Sequence, residues 1–238
     1  MNDGAVMSGP ALDVSVKVAF GGDPPVRIDA TLVAPPGVTV LFGPSGSGKS
    51  TVLKVIAGIL RPDSGHVRLG NETWVDTGRG IAASIESRRV GYVFQSLALF
   101  PHMSALDNVA YGIAKSRPDR LDRAKKALAT FRAGHLEGRK PGTFSGGESQ
   151  RVALARALAM EPRCVLLDEP FSAMDRGLRT EFAEHVRVLA DELRVPVLHV
   201  THHRHEAIAM ASRVVFLEKG TVVRVGSPAD LVETAPHG

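Results

Sequence analysis

Apolar and polar residues alternate near the start of the chain, and further along the apolar residues gather into short unbroken runs. The alternation over residues 12–19 and 26–33 predicts strands with one buried face. The later runs are rich in β-branched residues, which is typical of strands buried on both faces, as in a parallel sheet. We place these buried strands at residues 38–42, 90–94, 164–167 and 195–200.

The remaining apolar segments predict hairpins and helices. Two pairs of short segments flank glycine-containing turns, as in hairpins, at 66–69 with 73–75 and at 213–217 with 221–225. Helical periods cover residues 52–60, 104–136, 149–160 and 180–193. Proline cannot continue a helix, so Pro62 limits the helix at 52–60 and Pro118 divides the helical stretch 104–136 into two helices. Strands and helices then alternate in the order of βαβ units with a parallel sheet.

A glycine-rich turn joins the strand 38–42 to the helix that follows it, and it fits the phosphate-loop pattern G-x-x-x-x-G-K-[ST]. Glycines allow consecutive backbone N–H groups to face an anion, and the helix N-terminus adds partial positive charge. Lys49 is expected to reach the β- and γ-phosphates and Ser50 to bind Mg²⁺. A turn that merely links strand to helix is the alternative. The predicted nucleotide-binding residues are Gly43, Pro44, Ser45, Gly46, Ser47, Gly48, Lys49, Ser50 and Thr51.

Polar side chains follow two other predicted strands. Asp168 and Glu169 come at the end of strand 164–167, and Gln95 follows strand 90–94. Because the carboxyl ends of parallel strands face the ligand crevice, Asp168 and Gln95 are predicted to join Ser50 around Mg²⁺. Glu169 is predicted to orient or deprotonate the attacking water, with Gln95 assisting. A pair of surface carboxylates is the alternative.

His202 follows the strand 195–200 and is predicted to hydrogen-bond the γ-phosphate. His199, His203 and His205 lie close by in the sequence, so a metal site is the rival hypothesis. His199 and His203 are four residues apart, but His199 belongs to the predicted strand, so the two would not share a helix face.

A second turn suited to binding phosphate precedes the helix 149–160. Ser145, Gly146 and Gly147 combine a hydroxyl with backbone amides that carry no bulky side chain. One nucleotide cannot easily use two such turns from the same chain. We therefore predict that this turn serves ATP bound to another copy, in a two-fold symmetric dimer driven by ATP.

Composition and charge narrow the classes of protein. The chain has 238 residues, 44% hydrophobic and 23% charged, which is ordinary for a globular protein. Its net charge of +4 comes without a dense Lys/Arg block, so nucleic-acid binding is not expected. No stretch approaches the length of a membrane span, and no signal peptide is evident. Cys164, the single cysteine, indicates a reducing compartment.

The order of these motifs resembles that of the ATP-binding cassette (ABC) ATPases from about residue 12 to residue 232. Residues 144–148, FSGGE, are similar to the family signature L-S-G-G-Q, and residues 172–175 to its S-A-L-D loop. Phe20 stands where the family has an aromatic that stacks on adenine. The resemblance implies an α/β fold: a P-loop NTPase core with a mostly parallel sheet, an N-terminal antiparallel β subdomain and an inserted α-helical subdomain.

Within that family, residues 99–103 and 107–112 resemble bacterial importers, in which this segment receives a helix of the membrane subunit. Residues 36–43, 72–76 and 88–95 resemble the molybdate-type importers most. Sulfate, iron and polyamine stay open as solutes. We expect one ABC domain over 1–238, with the helical subdomain at 96–158 and no C-terminal regulatory domain.

The resemblance implies an ATPase that powers solute uptake with ATP and Mg²⁺. Its expected partners are a second ATPase subunit, integral-membrane permease subunits and, indirectly, an extracytoplasmic solute-binding protein, at the cytoplasmic face of the inner membrane. A soluble non-transport ABC ATPase and a non-catalytic scaffold are the alternatives of another class, and Lys49, Asp168, Glu169 and His202 argue against the scaffold.

Overall fold

The computed structural model describes residues 9–22, 25–171 and 176–233, in which strands and helices alternate much as the apolar pattern predicts. The strands are β1 (Leu12–Phe20), β2 (Val26–Ala34), β3 (Gly37–Phe42), β4 (Ser64–Leu69), β5 (Glu72–Asp76), β6 (Ile81–Ala82), β7 (Val90–Val93), β8 (Cys164–Asp168), β9 (Pro196–Thr201), β10 (Arg213–Glu218) and β11 (Thr221–Gly226). The helices are α1 (Lys49–Ala57), α2 (Ile85–Arg88), α3 (Ala105–Ala110), α4 (Arg120–Thr130), α5 (Gly146–Ala159), α6 (Arg176–Leu193), α7 (Arg204–Met210) and α8 (Asp230–Glu233).

The chain forms two compact units. The first contains the residues up to Arg88 and those from Thr180 onwards. Its strands follow the order β6-β5-β4-β1-β2-β11-β10-β3-β9. β3 runs parallel to both β9 and β10, whereas β1, β2, β4, β5 and β6 pair antiparallel with one another.

Alternation along β1 decides which face of the antiparallel strands is buried. Leu12, Val14, Val16 and Val18 are at most 5% exposed, and the residues between them are more accessible. In the register with β2, Val16 lies opposite Ala30, which is also buried. Burial of a valine or leucine side chain contributes about 1.5–3 kcal/mol, so this face contributes strongly to the core.

A buried arginine holds the last turn of α1. The Arg88 guanidinium donates to the carbonyl oxygens of Val55 and Ile56 at 3.0 and 2.8 Å and lies over the ring of Trp74. These carbonyls belong to the last turn of a helix, where few backbone N–H groups remain to bond them, and Val55 also accepts from the Gly58 N–H at 3.0 Å. Burial lowers the Arg88 pKa, yet a guanidinium keeps its charge at neutral pH. Arg88 therefore supports the helix whose other end is the glycine-rich loop.

The second unit spans Arg89–Arg179. β7 and β8 are parallel, with Val90 opposite Cys164 and Val93 opposite Leu167. The helices α3, α4 and α5 pack together around fully buried side chains of this unit. Burial raises the pKa of the Cys164 thiol to about 12, so it is a packed structural residue rather than a nucleophile.

Most predicted elements are found, and the α/β fold with antiparallel N-terminal strands and inserted helices is confirmed. Helix boundaries are the main errors. α1 ends at Ala57 because Gly58 takes a φ of 85°, which stops the helix before Pro62. α5 begins at Gly146 instead of residue 149, since Ser145 caps it, and α6 begins before residue 180.

Short helices were missed. α2, α7 and α8 have seven residues or fewer, too few for a helical period to stand out. The predicted helical subdomain at 96–158 stays a prediction. Among the helices in the described ranges, none combines the length and hydropathy that a bilayer crossing requires.

Candidate functional site

The glycine-rich loop runs from the end of β3 to the start of α1. Gly48, at the N-cap position of α1, has a φ of 100°, and a Cβ on it would lie 2.3 Å from Ile28 Cδ1. A Cβ on Gly43 would lie 2.0 Å from the carbonyl oxygen of Leu217. Only glycine fits at these two positions, so the packing of neighbouring strands determines the path of the loop.

Lys49 lies inside the curve of this loop and is only 5% exposed. Its ammonium donates to the carbonyl oxygens of Gly43 and Pro44 at 2.9 and 2.7 Å and to Ser47 Oγ at 3.4 Å. The N-cap residue of α1, Gly48, has no side chain with which to make a capping bond. The loop therefore combines a positioned cation with a helix N-terminus, which is the chemistry that binds a phosphate chain.

His202 lies in the same unit, directly after β9, and its side chain is exposed. It lines a cavity of about 450 Å³ together with Gly43, Pro44, Phe42 and Phe216. The structure thus brings His202 and the first residues of the glycine-rich loop to one cavity. The two phenylalanine rings meet edge to face at 6.1 Å on its wall.

A buried hydrogen-bond chain fixes the backbone around His202. Thr201 Oγ1 donates to Glu206 Oε2 at 2.6 Å and accepts from the backbone N–H of His203 at 3.0 Å. His199 Nε2 lies 3.3 Å from the same carboxylate oxygen. Burial raises the pKa of Glu206, but its bonds to His199 and Thr201 outweigh this and leave the pKa lowered. Sequence reasoning missed Thr201 and Glu206, because nothing in the spacing showed that α7 begins at residue 204.

The histidines of residues 199–205 have different surroundings in the structure. His199 is fully buried in β9 beside Glu206, whereas the ring of His202 stacks near that of His203 at 4.1 Å. Throughout the part of the chain that the structure describes, no group of three or more His, Cys, Asp or Glu side chains could hold a metal ion. The rival metal-site hypothesis is therefore not supported.

In the second unit, the end of β8 carries the predicted carboxylates. Asp168 is 5% exposed, and the Tyr92 hydroxyl donates to its Oδ2 at 3.3 Å. Burial and the Asp168 charge raise the Tyr92 pKa, so this hydroxyl remains a donor. Glu169 has a φ of 47°, unusual for a residue other than glycine, and its Oε2 accepts from Gln95 Nε2 at 3.4 Å. Gln95, Asp168 and Glu169 therefore meet at the ends of β7 and β8.

The second glycine-containing turn begins α5. Ser145 Oγ accepts from the backbone N–H of Glu148 at 3.2 Å, and the Glu148 carboxylate accepts from the Ser145 N–H at 2.7 Å. This reciprocal pair is a capping box. Ser145 and Gly146 are exposed, and a Cβ on Gly147 would touch nothing within 4 Å. The first turn of α5 is thus preformed and accessible.

Glu148 has further partners that its sequence position did not suggest. His135 Nε2 lies 3.2 Å and Arg139 Nη1 3.4 Å from its Oε1. The backbone bond from Ser145, followed by the bond to His135, lowers the Glu148 pKa to about 2. The carboxylate is consequently ionised at neutral pH.

Two remaining predictions concern single segments. Phe20, the last residue of β1, is 37% exposed, so it is not an ordinary core residue and its ring is accessible for stacking. Its adenine contact stays a prediction. The segment 172–175 lies outside the described residues.

Comparison with known proteins gives one family. The family model described as ABC transporter matches residues 30–172. The molybdenum import ATP-binding protein ModC of Brucella melitensis is 41% identical over 225 residues, covering 94% of this chain and 61% of the relative. The sulfate/thiosulfate import ATP-binding protein CysA of Rhodopseudomonas palustris is 44% identical over 200 residues, covering 81% of this chain and 56% of the relative. The chain thus spans about three fifths of the length of these relatives.

A solved structure agrees with the sequence comparison. The dimeric structure of MJ0796, described as a bacterial ABC transporter cassette, superposes with a TM-score of 0.79. The two sequences are 30% identical, and the match covers 91% of this chain and 98% of the other. A post-hydrolysis state of MJ0796, bound to ADP and Pi, matches equally well.

Proposed function

The chain belongs to the ABC transporter family of ATP-binding cassettes, and on that basis we propose that it is the ATP-binding and ATP-hydrolysing subunit of a bacterial importer. The observation that carries the ATPase assignment is the loop at the start of α1. The N-cap residue of α1 is a glycine, and the buried Lys49 ammonium is held in the loop by main-chain carbonyl oxygens. A glycine-rich helix start with a positioned lysine is an arrangement that binds a triphosphate.

ATP binding is assigned to the loop residues 43–51. When ATP binds, the backbone amides of the loop and of the α1 N-terminus would donate to the β- and γ-phosphates. The Lys49 ammonium would then donate to phosphate oxygens in place of the carbonyl oxygens of Gly43 and Pro44. Phe20 is proposed to stack on adenine, which its exposed position at the end of β1 supports.

The donor set for Mg²⁺ consists of oxygen ligands, as this ion prefers. Ser50 offers a hydroxyl, Gln95 an amide oxygen and Asp168 a carboxylate oriented by Tyr92. When bound there, Mg²⁺ neutralises charge on the β- and γ-phosphates.

Hydrolysis is assigned to Glu169, Gln95 and His202. Glu169 orients or deprotonates the attacking water. The hydrogen bond from Gln95 Nε2 orients the Glu169 carboxylate. His202 hydrogen-bonds the γ-phosphate, and the chain through Thr201 and Glu206 holds its backbone in place. Within this scheme Thr201 and Glu206 are positioning residues.

Dimerisation completes the proposed site. Ser145, Gly146 and Gly147 bind the triphosphate held by a second copy, so that ATP lies between two chains and closes the dimer. The exposed, preformed first turn of α5 supports this role. The similar cassette MJ0796 was solved as a dimer.

Docking of permease subunits is assigned to the segment that follows Gln95. The ring centroids of Phe100 and Tyr111 lie 4.5 Å apart at an interplanar angle of 48°, and Tyr111 is 58% exposed. An aromatic pair with one exposed ring fits a helix from a membrane subunit. The chain then acts at the cytoplasmic face of the inner membrane, and an extracytoplasmic solute-binding protein is an indirect partner.

Molybdate is the proposed solute, because ModC relatives match over 94% of this chain. Sulfate is the second candidate, since a CysA relative of Chromobacterium violaceum is 43% identical over 91% of it. Both are tetrahedral oxyanions. Uptake of labelled molybdate and sulfate by vesicles that contain the assembled transporter separates the two.

Glu169→Gln tests the ATPase assignment. We expect turnover to fall by roughly 10²–10⁴ because the base is lost, while ATP remains bound. Steady-state phosphate release and binding of a fluorescent ATP analogue measure the two properties. Glu192→Gln, an exposed substitution on α6, is the matched control. Unchanged turnover in Glu169→Gln contradicts the assignment.

A further inference from the structure

Glu148 places a negative charge at a helix end that is proposed to receive a triphosphate. It is the third residue of α5, and its pKa of about 2 leaves it ionised. A carboxylate in the first turn stabilises an isolated helix by interacting with its dipole. For an incoming anion the same charge is unfavourable, because it cancels the positive potential of the helix N-terminus and repels phosphate oxygens.

Two basic side chains from outside α5 converge on this carboxylate. Arg139 Nη1 and His135 Nε2 both contact Oε1, at 3.4 and 3.2 Å, whereas Oε2 accepts from the Ser145 N–H. Both oxygens of Glu148 are therefore engaged. Arg139 also donates to the carbonyl oxygen of Thr143 and lies 5.9 Å from the Phe144 ring centroid, so it contacts the segment directly before the turn.

These contacts contribute little to the stability of the fold. The side chains of Arg139 and His135 are 44% and 58% exposed, and exposed ion pairs are weak because water screens them. Their effect grows when an anion approaches and water leaves the site, because charges then interact in a lower dielectric.

We infer that Arg139 is the counter-charge that allows a glutamate at position 148, whose carboxylate also lies at hydrogen-bond distance from His135. By neutralising the carboxylate, it preserves the ability of the α5 N-terminus to bind the triphosphate of a second copy. The inference rests on the proposed function. It makes Arg139 a positioning and charge-compensating residue for ATP-driven dimer closure, acting through Glu148.

The geometry of Ser145 fits this role. Its Oγ accepts from the Glu148 N–H, and the Ser145 hydroxyl also helps to lower the pKa of the Glu148 carboxyl, so the two side chains form one unit. Glu148 holds the Ser145 backbone in turn. The Glu148 carboxylate therefore holds the turn in its capped conformation. Arg139 offsets the negative charge of that carboxylate.

A double-mutant cycle tests the inference. The full-length chain carrying Glu169→Gln, which suppresses hydrolysis, is compared with the same chain carrying Arg139→Gln, Glu148→Gln or both. Sedimentation in Mg-ATP gives the dimer dissociation constant at low and high salt. We expect Arg139→Gln to raise the dimer dissociation constant about tenfold at low salt and less at high salt, since salt screens charge effects. In the chain that also carries Glu148→Gln, we expect Arg139→Gln to change the dimer dissociation constant less than twofold.

Further variants separate charge from structure. Arg139→Lys keeps the charge but loses the planar fork and is expected to retain most of the dimer affinity. Arg117→Gln removes a surface charge that pairs with Asp119 and is the matched control. Thermal unfolding confirms that each variant is folded.

Three results overturn the inference. Arg139→Gln with no effect, or with an equal effect in both backgrounds, shows that Arg139 acts through its backbone contact or not at all. Absence of any ATP-dependent dimer in the parent chain contradicts the proposed function, and the inference falls with it. A dimer in the parent with equal losses in both backgrounds contradicts the inference alone.

Discussion

The two glycine-rich helix starts of this chain are built in opposite ways. The N-cap residue of α1 is Gly48, which has a φ of 100° and no side chain with which to make a capping bond. The N-cap residue of α5 is Ser145, in extended backbone, and a reciprocal bond with Glu148 closes the first turn of that helix. The first helix start therefore has no capping bond from its own N-cap side chain, whereas the second has a complete capping box.

This difference fits the roles proposed for the two turns. A loop that holds phosphate throughout the cycle benefits from glycine amides that can face the ligand and from a lysine beside them. A turn that meets the nucleotide only when two copies close must keep its shape while it faces solvent. The capping box supplies that shape and places the Glu148 charge at the helix start, where Arg139 offsets it and His135 contacts the same oxygen.

The largest effect is expected from Gly48→Ala. The new Cβ meets Ile28 Cδ1 at 2.3 Å, and an L-residue is strained at a φ of 100°. Together these cost about 2–5 kcal/mol of unfolding free energy, and ATP binding is lost with the loop. Thermal unfolding and binding of a fluorescent ATP analogue measure both.

Ile28→Val sharpens this test because it removes Cδ1, and the next atom, Cγ1, lies 3.4 Å away. We expect the double variant to regain part of the lost stability. Gly46→Ala is the control for backbone strain alone, since its φ is 76° but its Cβ meets nothing within 4 Å. Equal stability of Gly48→Ala and Gly46→Ala speaks against the steric explanation.

A smaller effect is expected from Ser145→Ala. Loss of an N-cap serine costs about 1 kcal/mol of stability. The ATP-driven dimer is expected to weaken as well, because the proposed phosphate donor is gone. Ser104→Ala removes an equivalent cap from α3, where Ser104 accepts from the Asp107 N–H at 3.0 Å. Ser104→Ala should lower the unfolding free energy by a similar amount to Ser145→Ala and leave the ATP-driven dimer intact. If both variants impair the dimer alike, the proposed role of Ser145 is wrong.

The smallest effect on folding, of opposite sign, is expected from Gly147→Ala. Alanine in a helix is favoured over glycine by about 0.5–1 kcal/mol, and the new Cβ meets nothing within 4 Å. The monomer should be as stable as before or more stable, while dimer formation with Mg-ATP weakens. Gly142→Ala, equally open and just outside α5, is the control. A Gly147→Ala dimer of unaltered affinity shows that this glycine does not face the nucleotide.

Local patterns along the chain were sufficient to predict much of this molecule. The motif at residues 43–50, the carboxylates after β8 and the serine–glycine turn were recognised from residue types and spacing, because each depends on backbone chemistry within a few residues. The apolar periods predicted the long strands and the α/β class for the same reason. Their catalytic roles remain predictions.

The tertiary structure decided what distant residues do to one another. Ile28 and Leu217 explain why Gly48 and Gly43 admit no side chain, and they are far from the loop in sequence. Tyr92 reaches Asp168, and Arg139 and His135 reach Glu148, only because strands and helices bring them together. Spacing along a chain carries no information about such contacts, since packing sets the distance between elements. The sequence alone therefore predicted which groups of this protein bind phosphate, and the fold decided which distant neighbours contact those groups.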